Sequence, residues 1–564
     1  PEKADDYVFI LVGKPTDNSG FGGASFASAT LHEDSKEKNK GAIQEPNAFL
    51  QRHILKANYA LFAWLREKNL INTVGFKDLG AGGVACASIE LAEAGGSYGA
   101  EITLELVPTA IDGLHPSVIL CSETQERFMW VVPPSLVETV LNHYNHLFDL
   151  PGVSEGACAA VVGKIRTDGL YVVHYKGEEL VRAKVQDVTK GIVYDRPFVF
   201  KKNTFLEPTF NKPVYYNDIL LQLLSHENIA SKAPLFETYD KQVQGRTVIE
   251  AGWADAGVMQ PFNNEHYPEE IQKTGIALSL DHNPRYNLID AYWGAVNAVI
   301  ESVRNITAVG ANPVALTDCL CFGNPEIPEQ MGEFVASVRG IVEACSAIKM
   351  KEYPTASLPV IAGNVSLYNE SASGAIPPSP MISCLGVLPD VSYALTYDIK
   401  KPRSLLILIG ARKDECGGSV YYQLLGAMGS NIPKPDLTHI NQEIQAVAQA
   451  IQQGLVLSAH DISEGGIAVA LAEMTFKNTL GVRVQIQSDL PMDRLLFSET
   501  GGFVLEVAPE KQADFSALMS EYKVPYLNIG LTTKEPVIQI NEQIHLDVNE
   551  AKQAWEQGLR ERLL

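Results

Sequence analysis

One stretch of this chain occurs twice, and no other feature narrows its possible folds as far. The first copy reads Gly75-Phe76-Lys77-Asp78-Leu79-Gly80-Ala81-Gly82-Gly83-Val84-Ala85-Cys86 and continues to Gly95. The second reads Asp461-Ile462-Ser463-Glu464-Gly465-Gly466-Ile467-Ala468-Val469-Ala470-Leu471. The Asp, the adjacent glycines and two alanines recur in register. Downstream of each copy stands the same tripeptide, Ser122-Glu123-Thr124 and Ser498-Glu499-Thr500, and then an apolar run, Phe128 to Val132 and Phe503 to Val507. Two matched motifs in one order imply a duplicated α/β domain, with something different between the copies. The period is far too long for a solenoid.

The local physics of the repeat is consistent. An apolar strand ends at an acid, Val74 to Lys77 before Asp78 and Leu455 to Ala459 before Asp461. The glycine pair turns the chain. A helix follows, with Val84, Ala87, Ser88, Leu91 and Ala92 on one face. Free N–H groups and the dipole at such a helix start suit an anion, and an Asp at a strand end can hold Mg2+. The plainer role for the glycines is close helix–strand packing. The paired Ser-Glu-Thr adds weight to the functional one.

Length and charge bound the rest. At about 150 residues per domain, 564 residues suggest several domains, and 46% apolar residues are ample for their cores. A net charge of −22 argues against nucleic acid or an anionic membrane as partner. A small phosphate-rich substrate stays compatible, because a local site can oppose the global charge. The eight cysteines are scattered, with no zinc-ligand spacing, which fits reduced thiols in a cytoplasmic protein. No signal peptide and no apolar run near ~18 residues is present. The chain opens Pro1-Glu2-Lys3 without Met, which reads as a fragment or a processed product.

In chain order, the apolar strand Tyr7 to Val12 runs into a glycine-rich loop, Gly13 to Ser25. Leu405 to Ile409, Gly410 and Gly417-Gly418-Ser419 echo it at the head of the second copy. The loop lacks the Gly-Lys-Ser/Thr of a nucleotide P-loop. An amphipathic helix is expected at about 48–68, and strands at 170–174 and 180–183. Residues 196–215 hold Pro197, Pro208 and Pro213 and read as a linker.

The middle block, 216–398, has no partner elsewhere in the chain. In it three apolar strands are expected to end at an acid or amide: Leu278 to Leu280 before Asp281, Ala315 to Thr317 before Asp318, and Val360 to Gly363 before Asn364. Oxygen ligands at strand ends beside open turns suit Mg2+ and phosphate. Any one of them alone is more commonly a helix cap or turn residue. If Asp318 and Asn364 serve one site, their strands must be neighbours with both side chains at one mouth. His282 and His460 each sit beside an Asp, which favours a hydrogen-bonded structural role for both.

These stretches resemble the small form of phosphoribosylformylglycinamidine synthase, of the aminoimidazole ribonucleotide synthetase superfamily. The resemblance rests on Gly22 to Ser28, Asp78 to Gly83, Ser122 to Arg127, Asp281 to Tyr286, Thr317 to Glu326 and Gly363 to Glu370. It implies an α/β (α+β) chain in which ferredoxin-like A domains alternate with α/β B domains. This chain reads as B1-A2-B2: a first B domain at 1–195, a linker at 196–215, an A domain at 216–398 and a second, degenerate B domain at 399–564. The family's first A domain, with its His general base, has no counterpart in the stretch, so the isolated chain is expected to be inactive.

By the resemblance, the reaction uses ATP to phosphorylate an amide oxygen of formylglycinamide ribonucleotide, which ammonia then displaces as phosphate to leave the amidine. By the resemblance, Gln44, Glu123, Thr124, Gln125 and Ser366 bind the ribonucleotide, Asp318 and Gly363 contact ATP, Asp78 holds Mg2+ and Asn364 holds another Mg2+. Thr124 stands where Ser is usual, and Glu45-Pro46-Asn47 replaces the usual Val-Gly-Asp. In the second copy Thr500-Gly501-Gly502 replaces Thr124-Gln125-Glu126, so that copy is the weaker candidate for substrate. No glutaminase signature is present, which implies a separate glutaminase subunit and a small bridging subunit. The alternatives are another ATP-dependent synthetase of the superfamily, against which the duplicated B domain argues, or a non-catalytic assembly fragment.

Overall fold

In the computed structural model, the run Phe9 to Val12 is buried on both faces of a sheet. Phe9 and Leu11 join one apolar cluster and Ile10 and Val12 another, as the two-residue alternation of a strand requires. The structure describes residues 3–23, 40–96, 98–191, 193–201, 204–210 and 215–563, so Ala24 to Ser28 of the glycine-rich stretch lie outside the described residues. The chain divides into two units, Pro1–Asp195 and Arg196–Leu564.

The first unit is built on seven strands: β1 (Val8–Gly13), β2 (Gly75–Asp78), β3 (Gly99–Thr103), β4 (Arg127–Val132), β5 (Cys158–Arg166), β6 (Leu170–Tyr175) and β7 (Glu178–Lys184). Their order is β2-β4-β1-β5-β3-β6-β7, antiparallel except for β3 beside β6. Helix α1 (Ala48–Glu67) lays Leu50, Ile54, Ala57, Leu61 and Leu65 on the face that carries Ile10. Its start is capped by the Asn47 side chain, which accepts the Leu50 N–H at 3.0 Å. Helix α2 (Gly83–Ala94) covers the opposite face with Val84, Ala87 and Ala92.

The second unit holds two large sheets and a two-stranded hairpin. The first is made of β8 (Thr247–Ile249), β9 (Gly257–Met259), β10 (Gly275–Asp281), β11 (Asn312–Cys321), β12 (Val360–Ser366) and, after the hairpin β13 (Glu370–Ser371) and β14 (Gly374–Ala375), β15 (Ser379–Leu388). Its order is β12-β11-β15-β10-β9-β8. Helices α3 (Ala291–Ala308) and α4 (Pro328–Ala347) pack together, and α3 lies on β10 and β15. Helix α3 is buried almost all round, because it also touches the second repeat. One apolar cluster therefore runs from Ile249 through Val299 to Phe503.

The second repeat contains β16 (Leu405–Ile409), β17 (Ser458–Asp461), β18 (Gly481–Val484), β19 (Phe503–Val507), β20 (Tyr526–Thr533), β21 (Val537–Ile540) and β22 (Ile544–Asp547). Their order, β17-β19-β16-β20-β18-β21-β22, is the first sheet strand for strand. The one parallel pair, β18 with β21, falls where β3 pairs with β6. Even the register shift recurs, between Phe9 and Ile10 in one sheet and between Leu406 and Ile407 in the other. Helices α5 (Ile440–Gln452) and α6 (Gly466–Glu473) hold the chain positions of α1 and α2.

The stretch read as a linker is laid along the second unit. The Val199 N–H donates to the Pro328 carbonyl at 2.9 Å, and Arg339 lies over the rings of Phe198 and Phe200. Glu207 accepts the N–H groups of Ser430 and Asn431 at 2.7 Å each.

Candidate functional site

In the first unit, β2 carries Asp78 to the sheet end where β4 begins, and Asp78 pairs in register with Phe128. Gly82 and Gly83 then take φ of +75° and +56°, which glycine adopts at no steric cost. A Cβ on Gly83 would run into the Ser122 carbonyl. The repeated glycine pair and the repeated Ser-Glu-Thr are thus one packed unit. Asp78 is exposed in an open groove with Phe76 and Phe128, beside the Lys77–Glu90 ion pair at 2.7 Å.

Four of the expected substrate residues come together here. The Gln44 amide donates to the Glu123 carboxylate at 3.0 Å, and the Gln125 amide donates to the Glu123 carbonyl at 3.1 Å. Thr124 is buried, and its hydroxyl donates to Asp17 at 3.0 Å. Burial pushes the Asp17 carboxyl up, but bonds from Lys14, Ser19 and Thr124 outweigh it and hold it below its usual value. Beneath the turn lies Arg127. Its guanidinium donates to the carbonyls of Thr124 and Ser122 and to Thr16 Oγ1, at 3.0, 2.5 and 2.8 Å. Burial lowers its pKa to about 10. Sequence reasoning assigned no role to Arg127 or Asp17. A charged residue heading an apolar strand was the available signal.

The second repeat reproduces the turn and encloses it. Gly465 and Gly466 have φ of +79° and +69°, and Gly466 abuts the Ser498 carbonyl. Glu499, the counterpart of Glu123, accepts the N–H groups of Gly465 and Val420 at 2.9 Å each and the Tyr286 hydroxyl at 2.5 Å. Burial and the nearby Glu464 push its carboxyl up to about 7. Asp461, the counterpart of Asp78, is buried, and burial together with Asp255 likewise raises it to about 7.

Asp255, His460 and Asp461 offer ligand atoms that all lie within 4.8 Å of one another, close enough to hold a metal ion. His460 has the hydrogen-bonded role expected of it: Nδ1 meets Asp255 at 2.7 Å and Nε2 meets Glu473 at 3.1 Å. Burial opposes its charge, but these two carboxylates prevail and raise its pKa. His282 departs from the expectation. Its Nδ1 is buried with no partner among the described residues, and burial lowers its pKa to about 4.

The other expected residues lie in the second unit. Strands β11 and β12 are parallel neighbours, with Asp318 beside Gly363 and Cys319 beside Asn364. Adjacent residues on paired strands share a face, and successive residues alternate. Asp318 and Gly363 therefore share one face, and a Cβ on Gly363 would meet the Asp318 carboxylate. Asn364 is on the opposite face, as is Ser366 beside Cys321. The single shared mouth expected for Asp318 and Asn364 is not formed. Both residues also stand inside their strands, which continue to Cys321 and Ser366. Burial raises the Asp318 pKa, and Ser366 Oγ donates to Asn369 at 3.3 Å.

Known proteins match this architecture. The family model for the N-terminal domain of AIR synthase related proteins matches residues 253–388. The model for the C-terminal domain matches twice, at 4–176 and 401–541, which is the duplication read from the repeat. The phosphoribosylformylglycinamidine synthase subunit PurL of Methanothrix thermoacetophila is 43% identical over 564 residues, covering 99% of this chain and 72% of that protein. The chain belongs to the PurL family. The PurL subunit of a Thermoanaerobacter species is 35% identical over 561 residues, again covering 72% of the relative. The fold agrees with that of Thermotoga maritima PurL complexed with FGAR, at a TM-score of 0.63 and 23% identity over 94% of this chain and 72% of that one. A structure named PurLQS from the same organism gives 0.60 and 22%, with the same coverage. No described helix of this PurL family member is long and apolar enough to cross a membrane.

Proposed function

We propose that the chain belongs to an enzyme that converts formylglycinamide ribonucleotide to formylglycinamidine ribonucleotide with ATP and ammonia, in purine biosynthesis in the cytoplasm, and that the isolated chain is inactive without the segment supplying the general base. The observation that carries this is the 43% identity to a PurL subunit across 99% of the chain. The glycinamide carbonyl oxygen, which the amidine nitrogen must replace, is a poor leaving group. Transfer of the γ-phosphoryl group of ATP to it gives ADP and an O-phosphorylated imidate. Ammonia then adds to the imidate carbon. The C–O bond breaks, phosphate leaves with the electron pair, and the amidine remains.

In this reading Gln44, Glu123 and Gln125 hold the ribonucleotide through an amide–carboxylate pair at 3.0 Å whose Gln44 end is exposed. The Thr124 hydroxyl is committed to Asp17, so Thr124 contributes through its backbone. Asp318 and Gly363 contact ATP, and Ser366 touches the substrate. Asp78 and Asn364 fit Mg2+: each is an exposed oxygen donor with no hydrogen bond or ion pair among the described residues. Each would hold its own Mg2+, which would neutralise charge on the phosphoryl group in flight. Ammonia comes from glutamine through a separate glutaminase subunit and a small bridging subunit. The Thermotoga maritima structure named PurLQS supports such an assembly.

Titration with formylglycinamide ribonucleotide tests the site. Gln44→Ala and Glu123→Gln should each weaken binding about tenfold, or ~1.4 kcal/mol. Unchanged affinity in both variants would remove these residues from the substrate site.

A further inference from the structure

The second repeat has lost one residue where the first has its arginine clamp. Phe128 and Phe503 are equivalent by register, since Phe128 pairs with Val12 and Asp78, and Phe503 with Ile409 and Asp461. Between Thr124 and Phe128 stand Gln125, Glu126 and Arg127, whereas between Thr500 and Phe503 stand only Gly501 and Gly502. A cavity of about 370 Å3 opens beside this glycine pair, where β16 ends and β19 and β20 begin.

The cavity is lined by Arg304 and three lysines, of which Lys413 donates to the Lys434 carbonyl at 3.1 Å. Arg304, 3% exposed, packs its guanidinium against Gly501, where a Cβ would collide with it. Its Nε has no partner among the described residues, and Nη2 lies 3.8 Å from both Glu301 and Asp461. Behind the lining, between Ala411 and Lys413, Arg412 replaces one bond of the lost clamp, donating to the Ser498 carbonyl at 2.6 Å, and its Nε and Nη1 are buried without partners among the described residues. Lys413, Lys434 and Lys523 also line the cavity. Of these, only Lys413 has a carboxylate within 4.0 Å among the described residues, Glu415 at 3.7 Å.

The acids facing the cavity are engaged or neutralised. Glu415 accepts the Thr500 hydroxyl at 2.8 Å and the Lys434 N–H at 3.2 Å. Asp436 meets His439 at 2.7 Å. Burial pushes the Glu443 carboxyl up, toward its neutral form. Guanidinium and ammonium donors around a buried floor match a compact dianion, and a volume of this size is within the range of small-molecule sites.

We propose that this cavity binds a small phosphate monoester and uses none of the residues assigned above to substrate, ATP or metal. Calorimetric titration of the chain with ribose 5-phosphate, inorganic phosphate and ribose tests it. Wild type and Gln44→Ala should bind ribose 5-phosphate equally, and ribose should not bind. Lys434→Ala/Lys523→Asn should bind it at least tenfold more weakly at an unchanged melting temperature. Both lysines are exposed, and Asn tolerates the left-handed backbone of Lys523, at φ +58°. Four results would overturn the proposal: no binding of either phosphate compound, equal binding of ribose, full affinity in the lysine variant, or loss of binding in Gln44→Ala.

Discussion

Asn364 stands inside β12 rather than at a turn, which leaves its exposed amide free to serve as a metal ligand. Its side chain is exposed on an edge strand, so it contributes little to the core. As a ligand it offers one amide oxygen, and Asn364→Gly should weaken Mg-ATP binding by ~1–3 kcal/mol, the size of one charge-assisted contact, at an unchanged melting temperature. Wild-type affinity in that variant would contradict the assignment. Glu499 gives a prediction in pH. Its folded pKa of about 7 lies above that of an ordinary carboxyl, so the folded chain keeps a proton that the unfolded chain releases above about 4.3. That contribution is whole below the window and is lost as pH rises through it. The melting temperature should fall as pH rises from about 5 to about 8, and Glu499→Gln, which keeps an acceptor for Gly465 and Val420, should show a shallower fall. Equal slopes would exclude Glu499 as the source. The residue types of both sites were legible in sequence. The facing of Asp318 and Asn364 was not, because it depends on how two separate strands align.

The turn between strand and helix is the element that duplication preserved. In both copies the second glycine has positive φ and presses on a serine carbonyl, at Gly83 and at Gly466. Adding a Cβ there costs backbone strain and a steric clash together. Gly83→Ala and Gly466→Ala should each cost more than ~2 kcal/mol in urea denaturation. Gly96→Ala is the control: φ is +96° but the space around it is open, so its cost should stay near ~1 kcal/mol. Equal costs at all three positions would mean that the close approach contributes nothing. The motif, its strand and its helix could be read from glycines, acids and apolar spacing. Its partner across the turn could not. Arg127 and Arg412 reach matching serine carbonyls from different places in the chain, one from a strand and one from a loop. No alignment of the two repeats pairs those arginines.

At the scale of the molecule, the duplication predicted two like sheets, and the strand orders agree throughout. The middle block forms a sheet of its own and shares an apolar cluster with the second repeat through α3. Its apolar positions showed that it was buried without showing against what. The charge of −22 spoke for the surface alone and gave no sign of the cationic cavity in the second repeat. The reaction turns on one oxygen: the glycinamide carbonyl oxygen becomes the leaving group by phosphorylation, and the formyl group is carried through unchanged. The most direct measurement follows that oxygen in the intact enzyme, supplied with ATP, ammonia and formylglycinamide ribonucleotide carrying 18O in the glycinamide carbonyl. Inorganic phosphate released in step with amidine should carry the label. Amidine formed with unlabelled phosphate, and the label recovered in water, would contradict the account.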